Sequence, residues 1–187
     1  MQNPQYPFLR SYWVVPGQFL AGAYPGSSDP SESNVKVAGL VAAGVTRVIS
    51  LMEEAEKNHS GQAFVDYATS INRLASEQRL GRTIECLRFP IVDGSIPNAE
   101  TMGSVLDRID EAISAKGTVY VHCWGGRGRT GTVVCCWLIR HGYAAPGQAV
   151  DYLQTLIREK AAIFHPTPEN ANQRDFVRNW KAPNFPP

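Results

Sequence analysis

Short apolar runs rich in β-branched and aromatic residues recur along this chain, each bounded by glycine, proline or polar residues. Such runs are typical of strands, because helices need longer amphipathic stretches. They predict strands at residues 13–15, 19–21, 47–51, 84–89 and 118–121. The first two flank the turn signal Pro16-Gly17. The last run is apolar and β-branched, which is typical of a strand buried inside a sheet.

Amphipathic stretches with apolar residues three or four positions apart lie between these runs. Asp29-Pro30-Ser31-Glu32 has the layout of a helix start, with a capping Asp, proline in the first position and Glu in the third. Further helices are predicted from residue 64 and at 102–113, 132–139, 150–157 and 176–180. Strands that alternate with helices predict an α/β fold with a central mixed sheet of about four to five strands flanked by helices.

Composition narrows the class of protein. The 187 residues are 43% hydrophobic and fit a single domain (1–187), with its core at about 8–181 and a Pro-rich tail at 182–187. The formal net charge of +1 excludes the basic field of a nucleic-acid binder. No apolar run approaches the ~20 residues that cross a bilayer, and the four cysteines show neither disulfide nor metal-ligand spacing. We therefore expect a cytoplasmic monomer without integral membrane association.

The segment 122–131 joins the last predicted strand to an apolar helix and carries the candidate chemistry. Three glycines lie in its middle, Gly125, Gly126 and Gly128. They permit a tight turn in which backbone N–H groups converge on one point, and the following helix aims its positive N-terminal end there. Arg129 adds a planar fork for two phosphate oxygens. The same surroundings favour the nucleophilic thiolate of Cys123, and Thr130 is placed to donate its hydroxyl to the sulfur as it leaves.

His122-Cys123, followed after five residues by Arg129-Thr130, resembles the His-Cys-x5-Arg-Thr signature of the cysteine-based protein tyrosine phosphatases. The place of this loop, two thirds along a short chain, resembles the compact dual-specificity branch of that family. The resemblance implies the phosphatase fold and hydrolysis of phosphomonoesters through a phosphocysteine, with no metal or cofactor. It makes Cys123 the nucleophile and His122 a supporting residue. Substrate phosphate would be bound by the loop residues Trp124, Gly125, Gly126, Arg127, Gly128 and Arg129.

The family also uses a general acid from a loop some thirty residues before the cysteine. Asp93 stands 30 residues before Cys123 in a proline-bounded loop that follows a predicted strand. A positioned carboxyl there would protonate the leaving oxygen. The alternative is a plain Asp-Gly turn. Asp107 and Asp110 fall within a predicted helix and are weaker candidates.

The substrate stays open at the level of sequence. A protein phosphatase for phosphotyrosine, and also for phosphoserine or phosphothreonine, is the leading hypothesis. Arg127 is a second cation in the loop and favours an alternative, a phosphoinositide, inositol-phosphate or phospholipid phosphatase. Trp124 speaks against it, because such enzymes often have a basic residue directly after the cysteine. A catalytically silent phosphate-binding module and a sulfur transferase of the rhodanese type are the weaker rivals.

Other residues carry two interpretations each. Gln173 either positions water, as a glutamine does in larger tyrosine phosphatases, or belongs to a helix surface. Cys86 either forms a protective disulfide with Cys123 or is a plain core cysteine. Glu53 and Glu54 either reach the site or form a solvated cluster.

Overall fold

The computed structural model describes residues 6–181, apart from residues 79, 80, 82 and 162–164. Its strands are β1 (Ser11–Val15), β2 (Phe19–Gly22), β3 (Val45–Ser50), β4 (Glu85–Arg88) and β5 (Thr118–His122). Its helices are α1 (Pro30–Ala42), α2 (Ala68–Glu77), α3 (Ala99–Ser114), α4 (Gly128–Arg140), α5 (Ala149–Ala161) and α6 (Ala171–Arg178). The predicted α/β class and mixed sheet are therefore confirmed.

The strands form one sheet in the order β1-β2-β5-β3-β4. The β1–β2 pair is antiparallel, whereas β2, β5, β3 and β4 run parallel to one another. Every residue of β5 is buried, as expected for a central parallel strand covered on both faces. The apolar run that predicted this strand thus reflects its position in the middle of the sheet.

Helices cover both faces of the sheet, and side chains of β5 alternate between them. Val119 and Val121 pack into a core with residues of α3, α4, α5 and α6. Tyr120 points the other way, into a core with α1 and α2. This alternation follows from the two-residue period of a strand. The result is a three-layer arrangement in which the sheet is held from both sides.

The parallel strands bring the loops that follow them to one edge of the sheet. Strands β2, β3, β4 and β5 all end there, so the segments 23–29, 51–67, 89–98 and 123–127 are neighbours although they are far apart in the chain. In open α/β sheets, binding sites form at the carboxyl ends of the strands. The fold therefore points to this edge.

Several element boundaries differ from the sequence predictions by a few residues, and two of these differences lie next to the candidate site. Helix α4 begins at Gly128, four residues before the predicted start, because the cysteine loop turns directly into the helix. Helix α2 begins only at Ala68, whose N–H donates to the Asp66 carboxylate at 2.9 Å, so Phe64 belongs to the preceding loop. The predicted start of α1 is confirmed, since Asp29 caps it at the Ser31 N–H.

The predicted Pro-rich tail, 182–187, lies outside the described residues. Among the helices that the structure describes, none combines the length and apolar character needed to cross a bilayer.

Candidate active site

Cys123 follows β5 directly and opens a tight loop that ends in the first turn of α4. Its side chain is buried, with 3% of the residue exposed. Gly126 in this loop has a φ of 73°, and a Cβ atom there would lie 2.5 Å from the Ala23 nitrogen. No residue with a side chain fits that position, because both the backbone conformation and the space exclude one. The loop shape that sequence reasoning inferred from its glycines thus has a steric cause at Gly126.

Arg129 lies in the first turn of α4 and is 2% exposed. Its two terminal nitrogens bind the Glu56 carboxylate in a fork, at 2.6 Å and 2.8 Å. Its Nη1 also donates to the Ile91 carbonyl at 3.0 Å. A guanidinium this deeply buried requires a charged partner, and a bidentate carboxylate fixes the plane of the fork. Arg129 is therefore held rigidly beneath the cysteine loop.

Asp93 reaches the same guanidinium from the loop after β4. Its Oδ1 lies 2.8 Å from Arg129 Nη2, while 58% of its side chain remains exposed. Burial alone lowers the pKa of Arg129, but hydrogen bonds and charge from Glu56, with the charges of Cys123 and Asp93, raise it above its usual value. The guanidinium consequently stays charged. The structure places the Asp93 carboxylate against it, and the role of Asp93 as general acid stays a prediction.

His122 is fully buried behind the cysteine. Its Nδ1 lies 3.2 Å from the Cys123 carbonyl oxygen, which can only accept, so Nδ1 carries the proton. Nε2 then accepts from the Tyr67 hydroxyl at 2.7 Å. Burial, which outweighs the backbone hydrogen bond to Cys123, lowers the pKa of His122 to about 3. A neutral imidazole with both nitrogens engaged agrees with the supporting role predicted for it.

Thr130 and Trp124 flank the loop in different ways. Thr130 is buried, and its Oγ1 lies 3.5 Å from the Gly22 carbonyl oxygen, a long contact that leaves its donation to the sulfur a prediction. Trp124, directly after Cys123, packs against a neighbouring loop. Its ring packs against His59 at 4.4 Å and Phe64 at 5.5 Å between centroids, both in the loop after β3. It also lines a surface groove beside the cysteine loop.

The segment before α6 contacts both loops of the site. Arg127 lies 3.4 Å from a Glu169 carboxylate oxygen, so the second cation of the loop has an acidic partner within the protein. Gln173 is fully buried, and its Nε2 donates to the carbonyl of Ser95, in the loop after β4, at 3.2 Å. A Cβ atom at Gly128 would lie 2.9 Å from this amide, so Gln173 also touches the cysteine loop. Of its two interpretations, the helix-surface one is wrong.

Glu56 is the site residue that sequence reasoning missed. Glu53 and Glu54 are exposed, as expected of a solvated cluster. Glu56, two residues further on, has 8% of its side chain exposed and binds Arg129. Glu56 belongs to an acidic cluster that directly follows a parallel strand, at the edge of the sheet where the buried arginine requires a partner. This position in the sequence could have identified it.

Asp107 and Asp110 lie away from the site. They pair with Arg140 between α3 and α4, at 2.7 Å and 3.1 Å. These contacts hold two helices together, in agreement with their weaker candidacy.

The strand register excludes the disulfide considered for Cys86. Cys86 and Tyr120 both pair with Val48 on β3, so they lie on the same level with one strand between them. That separation is about 10 Å, and Cys123 stands three residues, or roughly 10 Å, further along β5. A disulfide needs Cα atoms about 4.4–6.8 Å apart. Cys86 is a free cysteine of β4, and burial raises the pKa of its thiol to about 11.

A buried thiol, a fixed guanidinium, a helix N-terminus and an exposed carboxyl thus lie together at one edge of the sheet. A tetrahedral anion fits such surroundings, since the arginine fork and the helix end both favour negative charge. Within the described residues there is no group of three His, Cys, Asp or Glu side chains placed to hold a metal ion.

Comparison with known proteins agrees with this geometry. Residues 9–167 match the family described as PTP-SAK: Swiss Army Knife protein, DSP-PTPase phosphatase domain. The match covers well over half of the chain, and the protein belongs to this family of cysteine-based phosphatase domains.

Individual relatives are distant. The chain is 24% identical over 153 residues to Tyrosine-protein phosphatase cdc-14 of Caenorhabditis elegans, which covers 76% of this chain and 18% of the relative. It is 22% identical over 169 residues to Phosphatidylinositol 3,4,5-trisphosphate 3-phosphatase cnrN of Dictyostelium discoideum, covering 89% of this chain and 24% of the relative. The chain thus spans a quarter or less of the length of these two proteins.

A solved structure of PTPMT1 in complex with PI(5)P superimposes with a TM-score of 0.65 at 18% identity, covering 90% of this chain and 92% of that chain. At this identity the likeness shows the fold.

Replacing Glu56 with glutamine tests the ion pair that holds Arg129. Glu56→Gln keeps the size and one hydrogen-bonding oxygen but removes the charge that compensates a buried guanidinium. We expect the free energy of unfolding to fall by about 2 kcal/mol or more. Glu54→Gln, the same change two residues earlier at an exposed position, is the control and should shift it by less than about 0.5 kcal/mol. Equal effects in urea unfolding would contradict the structural role of Glu56.

The lowered pKa of His122 predicts how stability depends on pH. The folded pKa of about 3 lies below the ordinary value of 6.5, so the unfolded chain binds one more proton between these pH values. Stability should therefore fall as pH drops from about 6.5, by about 1.4 kcal/mol per pH unit from this residue. In His122→Gln the slope between about pH 6.5 and pH 5 should lose this contribution. The exposed control His59→Gln should keep it; an unchanged slope in His122→Gln refutes the assignment.

Proposed function

We propose that this protein is a cysteine-dependent phosphatase that removes phosphate from phosphotyrosine, and from phosphoserine or phosphothreonine, in protein substrates. The observation that carries the proposal is the convergence of Cys123, Arg129 and Asp93 at one edge of the sheet. Arg129 is buried and fixed by Glu56, and Asp93 lies 2.8 Å from it. These are the groups that a phosphocysteine mechanism requires as nucleophile, phosphate ligand and general acid.

Substrate phosphate binds between the cysteine loop and the N-terminus of α4. Arg129 donates to two equatorial oxygens, and backbone N–H groups of residues 124–129 complete the cradle. The phosphate and the Asp93 carboxylate compete for the same Nη2 donor of Arg129. Binding of the dianion therefore moves Asp93 off the guanidinium, which its exposed position allows.

In the first step the Cys123 thiolate attacks phosphorus and a sulfur–phosphorus bond forms. The bond from phosphorus to the leaving oxygen breaks, and Asp93 in its protonated form gives that oxygen its proton. Charge on the transferring group is stabilised by Arg129 and by the loop amides. The product alcohol or phenol leaves, and the phosphate remains on Cys123.

In the second step water attacks the phosphocysteine. Asp93, now a carboxylate, takes a proton from the water, and the sulfur–phosphorus bond breaks to release inorganic phosphate. Thr130 stabilises the departing thiolate by donating its hydroxyl. Gln173 lies between the loop after β4 and Gly128, where an amide can orient the attacking water.

The contacts of Arg127 support a phosphoprotein substrate over a substrate with several phosphates. The alternative class, phosphoinositides, inositol phosphates or phospholipids, is motivated by the second cation in the loop. Arg127 instead lies 3.4 Å from Glu169, and its Nη2 lies 3.4 Å from the Pro166 carbonyl. A second phosphate would have to break these contacts. This class is the second candidate, because the relative cnrN is named as a phosphatidylinositol 3,4,5-trisphosphate 3-phosphatase. The substrate assay below decides between the two classes.

Replacing the nucleophile tests the reaction. Cys123→Ser should lower hydrolysis of a generic aryl phosphate by at least about 10⁴-fold, because a serine hydroxyl is a far weaker nucleophile in this setting. Cys86→Ser on β4 is the matched control and should retain activity. Rapid acid quench of the wild-type enzyme should trap a phosphocysteine. Persistent turnover by Cys123→Ser would reject the mechanism.

Phosphopeptides and phosphoinositides are then compared with the same wild-type preparation. We expect release of phosphate from phosphotyrosine, phosphoserine and phosphothreonine peptides. Turnover of phosphoinositides alone would assign the second class instead.

Asp93→Asn tests the general acid. Because asparagine cannot give up a proton to the leaving oxygen, kcat should fall about 10²–10⁴-fold for an alkyl phosphate or phosphoserine peptide. The loss should be much smaller for an aryl phosphate whose leaving group needs no proton. Asp107→Asn, in α3, should leave both rates unchanged. Equal losses for good and poor leaving groups would contradict the role of Asp93 as acid.

A further inference from the structure

A groove of about 620 Å³ opens beside the cysteine loop. Its walls come from the N-terminal segment, from the loops after β2 and β3, from α1 and from the cysteine loop itself. We call it the Arg10 groove, and the residues used below are Arg10, Tyr24, Ser27, Lys36, Phe64 and Trp124. None of their side chains has a role in the mechanism derived above.

One wall of the groove is aromatic and firmly packed. The rings of Tyr24 and Phe64 lie 4.9 Å apart between centroids, and those of Phe64 and Trp124 lie 5.5 Å apart. The Tyr24 hydroxyl is hydrogen bonded to the Val65 carbonyl. Trp124 is the residue directly after Cys123, so the wall begins next to the nucleophile. A substrate chain leaving the active site on this side passes along it.

The charges in the groove are unevenly compensated. Lys36 pairs with Glu32 at 2.7 Å, and Ser27 also donates to Glu32. Arg10 donates to the neutral Gly125 carbonyl at 2.5 Å, and within the described residues no carboxylate pairs with it. A guanidinium has five N–H donors, so most of those on Arg10 remain available to an anion. The groove therefore offers one uncompensated positive charge against the outer side of the cysteine loop.

The backbone of Arg10 holds this charge in place. Arg10 has a φ of 68°, a left-handed conformation that is rare for residues with side chains. Its carbonyl accepts from the Ala23 N–H at 3.0 Å, which ties it to the loop after β2. An outlier of this kind is found where a side chain has a task that the rest of the structure enforces. Here the constraint directs the guanidinium onto Gly125.

We propose that the Arg10 groove binds an acidic side chain of the substrate protein, one or two residues from the phosphorylated residue. The inference rests on the proposed protein phosphatase function and adds a sequence preference to it. Gly125 is two residues from Cys123, and an extended peptide advances about 3.3–3.6 Å per residue. A glutamate two positions from the phosphorylated residue thus lies about 7 Å away, within reach of Arg10.

The composition of the groove favours a peptide over a phosphoinositide. A headgroup with several phosphates needs several uncompensated cations, whereas the groove provides Arg10, and Arg127 on the cysteine loop faces Glu169. An extended peptide gains from the aromatic wall as well as from one ion pair. The bidentate geometry of arginine also matches a carboxylate.

The test measures kcat/KM for pairs of phosphopeptides that differ by one Glu or Gln at positions −2, −1, +1 or +2. For the wild-type enzyme at low salt, we expect the Glu peptide to be preferred by about fivefold at one of these positions. In Arg10→Asn this preference should disappear. Asparagine is chosen because it tolerates the left-handed backbone, so the change removes the charge without adding strain.

Three controls accompany this variant. Arg73→Gln removes an exposed arginine of α2 outside the groove and should keep the preference. Arg10→Lys should retain part of it, because the charge stays and the fork is lost. A small aryl phosphate does not reach the groove, so its turnover by Arg10→Asn should equal that of the wild-type enzyme, which also shows that the variant is folded.

The outcomes separate this inference from the proposed function. Aryl phosphate turnover with no Glu preference in the wild-type enzyme, or with a preference that survives in Arg10→Asn, overturns the role of the Arg10 groove alone. A phosphoinositide that loses turnover in Arg10→Asn while the peptide ratio is unchanged overturns the assignment of a peptide. Absence of any phosphatase activity overturns the proposed function itself.

Discussion

The buried ion pair between Arg129 and Glu56 is the interaction on which the rest of the site depends. A guanidinium that is 2% exposed requires a partner that compensates its charge. Glu56 is that partner, accepts one hydrogen bond from each terminal nitrogen, and ties the loop after β3 to the first turn of α4. The Ile91 carbonyl and Asp93 bring the loop after β4 to the same group. The loop after β3, the loop after β4 and the first turn of α4 thus converge on one side chain.

This convergence also sets the electrostatics of phosphate binding. Glu56 and Asp93 together place two carboxylates on the single positive charge of Arg129. Attraction for a dianion must therefore come from the N-terminus of α4 and the loop amides, and from displacement of Asp93. The buried Glu56 stays where it is and the exposed Asp93 is free to move. The difference in burial between the two carboxylates thus agrees with a positioning role for Glu56 and with the general-acid role proposed for Asp93.

The segment before α6 links the moving and the fixed parts of the site. Asn170 donates to the Gly94 carbonyl at 2.8 Å, and Gln173 donates to the Ser95 carbonyl. Both therefore contact the loop after β4 at the two residues that follow Asp93. Glu169 forms an ion pair with Arg127 of the cysteine loop. One short segment therefore contacts the loop that carries the proposed general acid and pairs with the second cation of the cysteine loop. On the other side of the cysteine loop, Arg10 has no carboxylate partner among the described residues, and this asymmetry underlies the preference proposed for acidic substrates.

The sequence by itself determined the class of fold and the centre of the site. Apolar periodicity predicted the strands and helices, and the spacing from His122 to Thr130 identified the family, because local sequence dictates both a strand–loop–helix turn and its chemistry. The prediction of Asp93 as general acid has the same local basis, since it follows a strand at a characteristic distance from the cysteine.

Only the tertiary structure decided which distant residues complete the site. The strand order β5-β3-β4 places Glu56, one of three neighbouring glutamates, against Arg129 and keeps Cys86 away from Cys123. On the other side of β5 lie β2 and β1, and there Arg10, the residue before β1, contacts the Gly125 carbonyl. Sheet order and loop packing depend on contacts between residues far apart in the chain, and no local pattern records them.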